Sequence, residues 1–158
     1  MKYIHEDDKE IREWVKDNLY SAVSLTYYEE RFTRFDGEYI TKKGNIRYIE
    51  VKNRHFNHNK YCTTDINKDK YIEMIDTKCD LIICFDDGVL AYSPKDLIIN
   101  LEKYTSYKRK DQVDAINNKW ENKEEKMACL TINEDRFHPY TDFITGPTRK
   151  IIPSKYNN

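Results

Sequence analysis

Apolar residues near the start of the chain follow a helical spacing and then a strand-like one. The helical spacing covers residues 7–19 and predicts an amphipathic helix. Its apolar stripe consists of Ile11, Trp14, Val15 and Leu19. β-Branched and aromatic residues without an intervening Pro or Gly then predict three strands. These strands cover residues 21–28, 38–41 and 45–54. Because Lys42-Lys43-Gly44-Asn45 is a turn signal, we expect the last two strands to form a hairpin.

The middle of the chain predicts further helices and strands after a polar loop. The expected elements are a loop at 55–60, a helix at 67–77, strands at 80–85 and 89–92, and a helix from 93 to about 104. Asp65 or Asn67 can cap the first of these helices, and Ser93 followed by Pro94 starts the second. The apolar run of residues 80–85 is typical of a strand buried on both faces.

The last third of the chain has few apolar residues. Residues 105–126 predict a marginal helix or a linker packed by Trp120. Residues 127–132 predict one more strand, and the tail from about residue 153 is expected to be flexible. We therefore divide the chain into a core at 1–104 and a C-terminal extension at 105–158 that packs on it.

Charge and cysteine content narrow the functional classes. The net charge of −1 gives no general attraction to nucleic acid, although six basic residues and a single acid lie between Lys42 and Lys60. The four cysteines lack metal-ligand spacing and predict free thiols in a reducing cytoplasm. The first residues are polar and the apolar runs are short, so we expect neither a signal peptide nor a membrane span.

Two charged residues share one face of the strand at 45–54. Side chains alternate along a strand, so Glu50 and Lys52 lie opposite Ile49 and Val51. Asp36 precedes the partner strand of the hairpin and is expected beside Glu50. Two carboxylates and a lysine in that position can bind a divalent cation and position a water molecule. Since acid-x-Lys triplets recur elsewhere in the chain, a simple surface ion pair is an open alternative.

The order of elements and these motifs resemble the PD-(D/E)xK nuclease superfamily, which has the restriction-endonuclease-like fold. Phe35-Asp36-Gly37 matches the Pro-Asp position with Phe in place of Pro, and Ile49-Glu50-Val51-Lys52 matches the (D/E)xK strand. Glu10 matches a first-helix glutamate of members related to Holliday-junction resolvases. The resemblance covers about residues 7–104. It implies an α/β fold in which helices flank a central mixed sheet in the order α-β-β-β-α-β.

The resemblance also implies an activity, Mg²⁺- or Mn²⁺-dependent hydrolysis of DNA phosphodiester bonds. Asp36, Glu50 and the Val51 carbonyl would bind the metal, with Glu10 as an outer ligand. Lys52 would hold or deprotonate the attacking water or contact the scissile phosphate. The implied partner is duplex or branched DNA, and many relatives act as homodimers. A nuclease-like fold that binds nucleic acid or protein without cleaving it is the alternative.

Other side chains near this region have weaker functional signals. DNA-contact candidates are Lys43, Arg54, Lys68, Lys70 and Tyr71, with a solvated helix face and a core Tyr as the alternative for the last three. The pair His55 and His58 has too few companion ligands for zinc and is more typical of a solvated loop or a DNA contact. Tyr27, Tyr28, Tyr39 and Tyr48 are expected to pack near the site, and some of them to stack on bases.

Overall fold

The computed structural model describes residues 6–30 and 33–140, with side chains from residue 9 onward. The elements are α1 (Glu6–Leu19), β1 (Ser24–Tyr27), β2 (Gly37–Ile40), β3 (Ile46–Asn53), β4 (Thr63–Asn67), α2 (Lys68–Thr77), β5 (Cys79–Cys84), β6 (Gly88–Tyr92), α3 (Pro94–Ile99), β7 (Leu101–Asp114), β8 (Lys119–Thr131), a 3₁₀ turn (Glu134–Arg136) and β9 (Phe137–Pro139). The tail expected to be flexible lies outside the described residues.

Two sheets organise the described part of the chain. The central sheet has the strand order β1-β2-β3-β5-β6-β9, and the smaller sheet has the order β4-β8-β7. Only β3 and β5 run parallel in the central sheet, so it is mixed. The predicted order of helix, three strands, helix and strand is confirmed, with β4 as an additional strand before α2.

Helices cover both faces of the central sheet. On one face, α1 packs over Leu25, Ile49, Val51 and Ile82. On the other, α2, α3 and the smaller sheet enclose Leu81, Ile83 and Leu90. The α/β fold class is therefore confirmed. Ile49 and Val51 face the core under α1, as the alternation predicted, and this directs Glu50 to the α2 side.

Capping residues define where α2 and α3 begin. The Asn67 side chain accepts hydrogen bonds from the Asp69 and Lys70 amides, which selects it over Asp65 as the cap of α2. Ser93 and Asp96 form a reciprocal capping box at α3. The Asn67 cap fixes the first turn of α2, which carries Lys70 beside the candidate site.

Two predictions about the second half of the chain were wrong, and one strand in the first half was not predicted. Residues 105–126 form neither a helix nor a linker but most of the β7–β8 hairpin. The helix predicted to reach about Tyr104 ends at Ile99, and the β4 strand was not predicted. The predicted strand at 127–132 is the inner end of β8, where it pairs with β4. Beyond that end, both faces of the hairpin are exposed, so the sequence lacks the alternation of apolar and polar residues that identifies a strand.

Two strands from the last third of the chain pair with strands that precede them in sequence. β8 pairs with β4, and β9 adds to the central sheet beside β6. Within the described residues, no helix is long and apolar enough to cross a membrane. All four cysteines are free thiols, as predicted.

Candidate active site

The Asp36 carboxylate lies where β2 and β3 begin to separate. Its main chain still pairs with the strands on either side: Asp36 N–H donates to the Ile49 carbonyl at 3.0 Å, and Tyr28 N–H donates to the Asp36 carbonyl at 2.9 Å. Its side-chain Oδ2 then accepts the Val51 N–H at 2.7 Å. A buried main-chain N–H needs an acceptor, and here the carboxylate supplies it in place of a neighbouring strand. Asp36 is thereby fixed beside the segment that carries Glu50.

Gly37 allows the close approach of β1 behind Asp36. A Cβ atom at this position would lie 2.7 Å from the Thr26 carbonyl oxygen and 3.3 Å from the Ile49 side chain. Phe35, which stands where the resembled family has Pro, is buried and packs against Tyr48 with ring centroids 5.1 Å apart. The residues on both sides of Asp36 therefore hold its position through packing.

Glu50 is a buried carboxylate with two lysines beside it. It is only 8% exposed, which contradicts the alternative of a surface ion pair. Lys52 Nζ lies 4.0 Å from Glu50 Oε1, and Lys70 Nζ lies 3.1 Å from Glu50 Oε2. The Lys70 ammonium is therefore the group that faces the buried Oε2, and it holds that oxygen in an ion pair. Such an oxygen is costly to bury and is suited to a cation.

Burial raises the pKa of Glu50, and the negative charge of Asp36 raises it further. Lys70 and then Lys52 oppose this shift without overcoming it. The pKa of Glu50 is thus raised partly by the neighbouring Asp36, while the binding of one cation by both carboxylates stays a prediction.

Two residues that the sequence analysis did not identify also lie close to Asp36 and Lys70. Arg12 of α1 places a guanidinium nitrogen 3.7 Å from Asp36 Oδ1, and its carbonyl accepts a hydrogen bond from the Tyr27 hydroxyl. Glu73 of α2 lies 3.6 Å from Lys70 Nζ and 3.1 Å from the Arg34 guanidinium. Arg12 and Glu73 lie far from the motif in sequence, and only the packing of both helices brings them to it.

Lys70 makes several contacts within the protein, beyond its ion pair with Glu50. Its ammonium also donates to the Arg34 carbonyl and lies 4.6 Å from the centre of the Phe35 ring. With its side chain only 25% exposed, Lys70 is not part of a solvated helix face. Tyr71 is buried and donates to the Leu97 carbonyl, so it is a core residue, in line with the alternative weighed for it.

The other site candidates lie at different distances from the Asp36 and Glu50 carboxylates. Glu10 is half-buried on α1, two residues before Arg12, and positions two apart on a helix do not face each other. Its role as an outer ligand stays a prediction. Lys43 lies in the turn at the far end of the β2–β3 hairpin, about 20 Å along the strand from Glu50. Arg54 donates to the Asp65 carbonyl, and Lys68 lies over the Tyr104 ring.

His58 is a structural residue of the loop after β3. Nδ1 lies 2.6 Å from Asp87 Oδ2, Nε2 lies 2.9 Å from Glu134 Oε1, and the ring stacks on Phe137. The prediction of a solvated loop residue is therefore wrong for His58. Among the residues that the structure describes, no group of three or more His, Cys, Asp or Glu residues is arranged to hold a metal ion.

The tyrosines near the site serve packing and hydrogen bonding. Tyr27 donates to Arg12, Tyr28 donates to the Glu38 carboxylate at 3.1 Å, and Tyr39 donates to the buried Asp80 at 2.7 Å. Tyr48 stacks against Phe35. The prediction that most of these rings pack is confirmed.

The two carboxylates fit the modest ligand set that Mg²⁺ takes from proteins. Mg²⁺ prefers oxygen ligands, keeps several waters and commonly binds through one or two carboxylates together with substrate phosphates. Asp36 and Glu50 provide two such groups, one of them buried. The Lys70 ammonium is the cation that now neutralises Glu50, so a metal ion at Glu50 would have to displace it or share the carboxylate with it.

Comparisons with known proteins are sparse. No protein-family model matches the chain, and no curated protein matches it. Among solved structures, the chain is similar to Hjc of Archaeoglobus fulgidus, a Holliday junction resolvase from an archaeal hyperthermophile. The likeness has a TM-score of 0.40 at 10% identity and covers 78% of this chain and 97% of that chain. This score is too low to carry a functional conclusion, so the proposals below rest on the residues of the site.

Proposed function

We propose that the protein is a divalent-metal-dependent nuclease that hydrolyses phosphodiester bonds of DNA. The observation that supports this most is the buried Glu50 carboxylate, which is close enough to Asp36 for their charges to repel and lies beside two lysines. A protein gains nothing in stability from a buried carboxylate beside a second, partly buried one unless a cation lies with them. The cation proposed is Mg²⁺, with Mn²⁺ as a substitute.

In this proposal Asp36 and Glu50 hold the ion, with the Val51 carbonyl as a third ligand. A bound Mg²⁺ would stabilise negative charge at the reacting phosphate and lower the pKa of a water molecule. Val51 N–H fixes the Asp36 carboxylate through its hydrogen bond, so this ligand needs little reorganisation. Lys52, whose side chain is 39% exposed, is free to reach a phosphate or an attacking water in front of the site. Water adds to phosphorus as the bond to the leaving oxygen breaks, and that oxygen takes up a proton.

A second candidate function is DNA binding without cleavage. The ion pair between Lys70 and Glu50 favours it, because an ammonium already neutralises the carboxylate that a metal ion would need. Under this alternative, Lys70 is a permanent replacement for the metal ion. DNA binding would then persist in chelator, and no metal would induce cleavage.

A cleavage assay with purified full-length protein separates the two functions. We expect linear, nicked or branched DNA to be cut in Mg²⁺ or Mn²⁺, and cutting to stop when EDTA removes the metal. Linear, nicked and four-way-junction substrates of the same sequence would identify the preferred form. Binding of these substrates without cleavage under every metal condition would contradict the proposed function and favour the binding module.

Three further properties belong to the same proposal. A homodimer is the assembly implied by the resemblance, and light scattering of the full chain would test it. The division into a core at residues 1–104 and an extension also stays a prediction. Localisation in the cytoplasm agrees with four free thiols and stays a prediction as well.

A further inference from the structure

The β7–β8 hairpin is a ribbon that extends beyond both sheets. β4 pairs with β8 only from Met127 to Thr131, so further out the two long strands pair with each other alone. The free part, from Ser106 to Asp114 on β7, spans about 30 Å at the usual rise per strand residue. At its tip, Ile116 is 95% exposed. Both faces of this ribbon are therefore open to a partner within the described part of the chain.

On one face of the ribbon, the basic residues form ion pairs with acids. The Arg109 guanidinium lies 3.1 Å from both Asp111 and Glu125, and Lys123 Nζ lies 3.4 Å from Asp111. The pairing register places all four residues on the same side of the ribbon. We call this side the paired face. Glu121, opposite Asp111, is also on this side, so the paired face has three acids and two bases and little attraction for a polyanion.

The opposite side of the ribbon has more bases than acids, and we call it the basic face. It is formed by Ser106, Lys108, Lys110, Gln112, Trp120, Asn122, Glu124 and Lys126. Three lysines stand here against one acid, and within the described residues none of these lysines forms an ion pair. Lys108 and Lys110 are two residues apart on β7, and Lys126 is a diagonal neighbour of Lys108, so the ammonium groups start from positions about 7 Å apart.

The basic face starts beside the candidate active site. At the base of the ribbon, Tyr104 is on this same face, and the Lys68 ammonium lies 4.4 Å from the centre of its ring. Lys68 is in the first turn of α2, two residues before the Lys70 that contacts Glu50. The first turn of α2 therefore lies between the base of the basic face and the carboxylate pair, although Lys68 and Lys70, two positions apart, point in different directions.

We propose that the basic face of the β7–β8 ribbon binds duplex DNA next to the carboxylate site. The inference rests on the proposed function only in taking DNA as the polyanion. Lysines without an acidic partner attract a molecule with a high density of negative charge. Duplex DNA is such a molecule, because it has one negative charge per about 1.7 Å of its axis. A two-stranded ribbon is narrow enough to enter the major groove, where Gln112 and Asn122 can reach base edges. Lys108, Lys110 and Lys126 contact phosphates.

Binding of a fluorescent duplex of about 30 base pairs in EDTA, where no cleavage occurs, tests this proposal. Replacing Lys108, Lys110 and Lys126 together by Gln should weaken binding at least about tenfold at 0.1 M salt. The slope of log affinity against log salt should fall by about three, one for each lost phosphate contact. The matched control replaces the exposed Lys16, Lys95 and Lys103 by Gln, which changes net charge equally but leaves the basic face intact. This control should bind like the wild type.

A second variant predicts a change of the opposite sign. Glu124→Gln removes the single acid of the basic face and should tighten binding several-fold, whereas Glu121→Gln on the opposite side should not.

Wild-type affinity and salt slope in both the triple-lysine and the Glu124 variants would overturn the proposal, and so would a wild-type protein that fails to bind the duplex. If the triple variant alters the oligomeric state but not DNA affinity, the face is occupied by a second copy and the proposal is again wrong. None of these outcomes depends on cleavage, so the nuclease function is decided separately.

Discussion

Glu50→Gln is expected to abolish metal-dependent cleavage while the protein keeps its fold. Gln has the size of Glu but no charge, so it preserves packing and removes one of the two carboxylates proposed to bind the metal. A metal ion supplies several kcal/mol of charge stabilisation to such a reaction. The rate of cleavage should therefore fall by at least about a thousandfold.

The same variant should be more stable than the wild type at neutral pH. The pKa of Glu50 is raised in the folded protein by burial and then by Asp36, so the native state favours the protonated form. That stabilisation is fully present below the unfolded-state pKa of a glutamate and is lost as pH rises through the folded-state pKa. The substituted glutamine side chain stays neutral at every pH, so the stability difference should be absent at low pH and should appear as pH rises.

Thermal melts from pH 4 to pH 8 in EDTA, together with single-turnover cleavage in Mg²⁺, measure both effects. Glu38→Gln is the matched control, since Glu38 is also on the β2–β3 hairpin and contacts Tyr28 rather than Asp36. Full cleavage by Glu50→Gln would remove Glu50 from the metal site. A variant less stable than the wild type at pH 8 would mean that the lysine contacts outweigh the burial of the charge.

Lys52→Met and Lys70→Met are expected to change different steps of the reaction. Lys52 is the more exposed lysine and can reach a phosphate or water, so its loss should slow cleavage by about 10²–10⁴-fold. Metal affinity should then change only a few-fold. Lys70 lies 3.1 Å from Glu50 Oε2 and repels any cation that approaches that oxygen. Its loss should tighten Mn²⁺ binding by about tenfold or more.

Calorimetric titration with Mn²⁺ and single-turnover cleavage separate the two lysines. Each variant is the control for the other, because both remove one ammonium beside the same carboxylate. Met keeps much of the Lys70 side-chain contact with the Phe35 ring and should leave cleavage within about tenfold of the wild type. If Lys70→Met stops cleavage and Lys52→Met does not, the role proposed for Lys52 belongs to Lys70.

The hairpin that carries the candidate site residues could be predicted from the sequence because its signals are local. Glu50, Val51 and Lys52 are on one strand, and the turn at residues 42–45 fixes the hairpin that places Asp36 across from them. The register of a hairpin follows from its turn, so no distant contact is needed to predict this pairing. The direction of Ile49 into the core followed from alternation in the same way.

The rest of the site depends on contacts between elements distant in sequence. Arg12 reaches Asp36 because α1 packs on the central sheet, and Lys70 and Glu73 reach Glu50 because α2 covers the other face. Helical periodicity places Lys70 on a face of its helix but does not say which strand residue that face meets. His58 gave no sign of its carboxylate partners for the same reason.

The β7–β8 ribbon was not predicted because its residues are mostly exposed, so its sequence has no pattern of buried apolar positions. Its outer part is exposed on both sides and carries charges on both, so neither a helical nor an alternating apolar pattern develops. Cross-strand pairs such as Arg109 with Glu125 stabilise it instead. Only the turn at Asn117-Asn118, where Asn118 has a φ of 51°, carried a local signal.

A crystal of the full chain soaked in Mn²⁺ tests the metal site most directly. The proposed function predicts an anomalous density peak between the Asp36 and Glu50 carboxylates, within about 2.0–2.2 Å of one oxygen of each. It also predicts that Lys70 Nζ moves away from its 3.1 Å contact with Glu50 Oε2. A site without anomalous density, with Lys70 still paired to Glu50, would contradict the metal-dependent nuclease and leave the binding module as the better account.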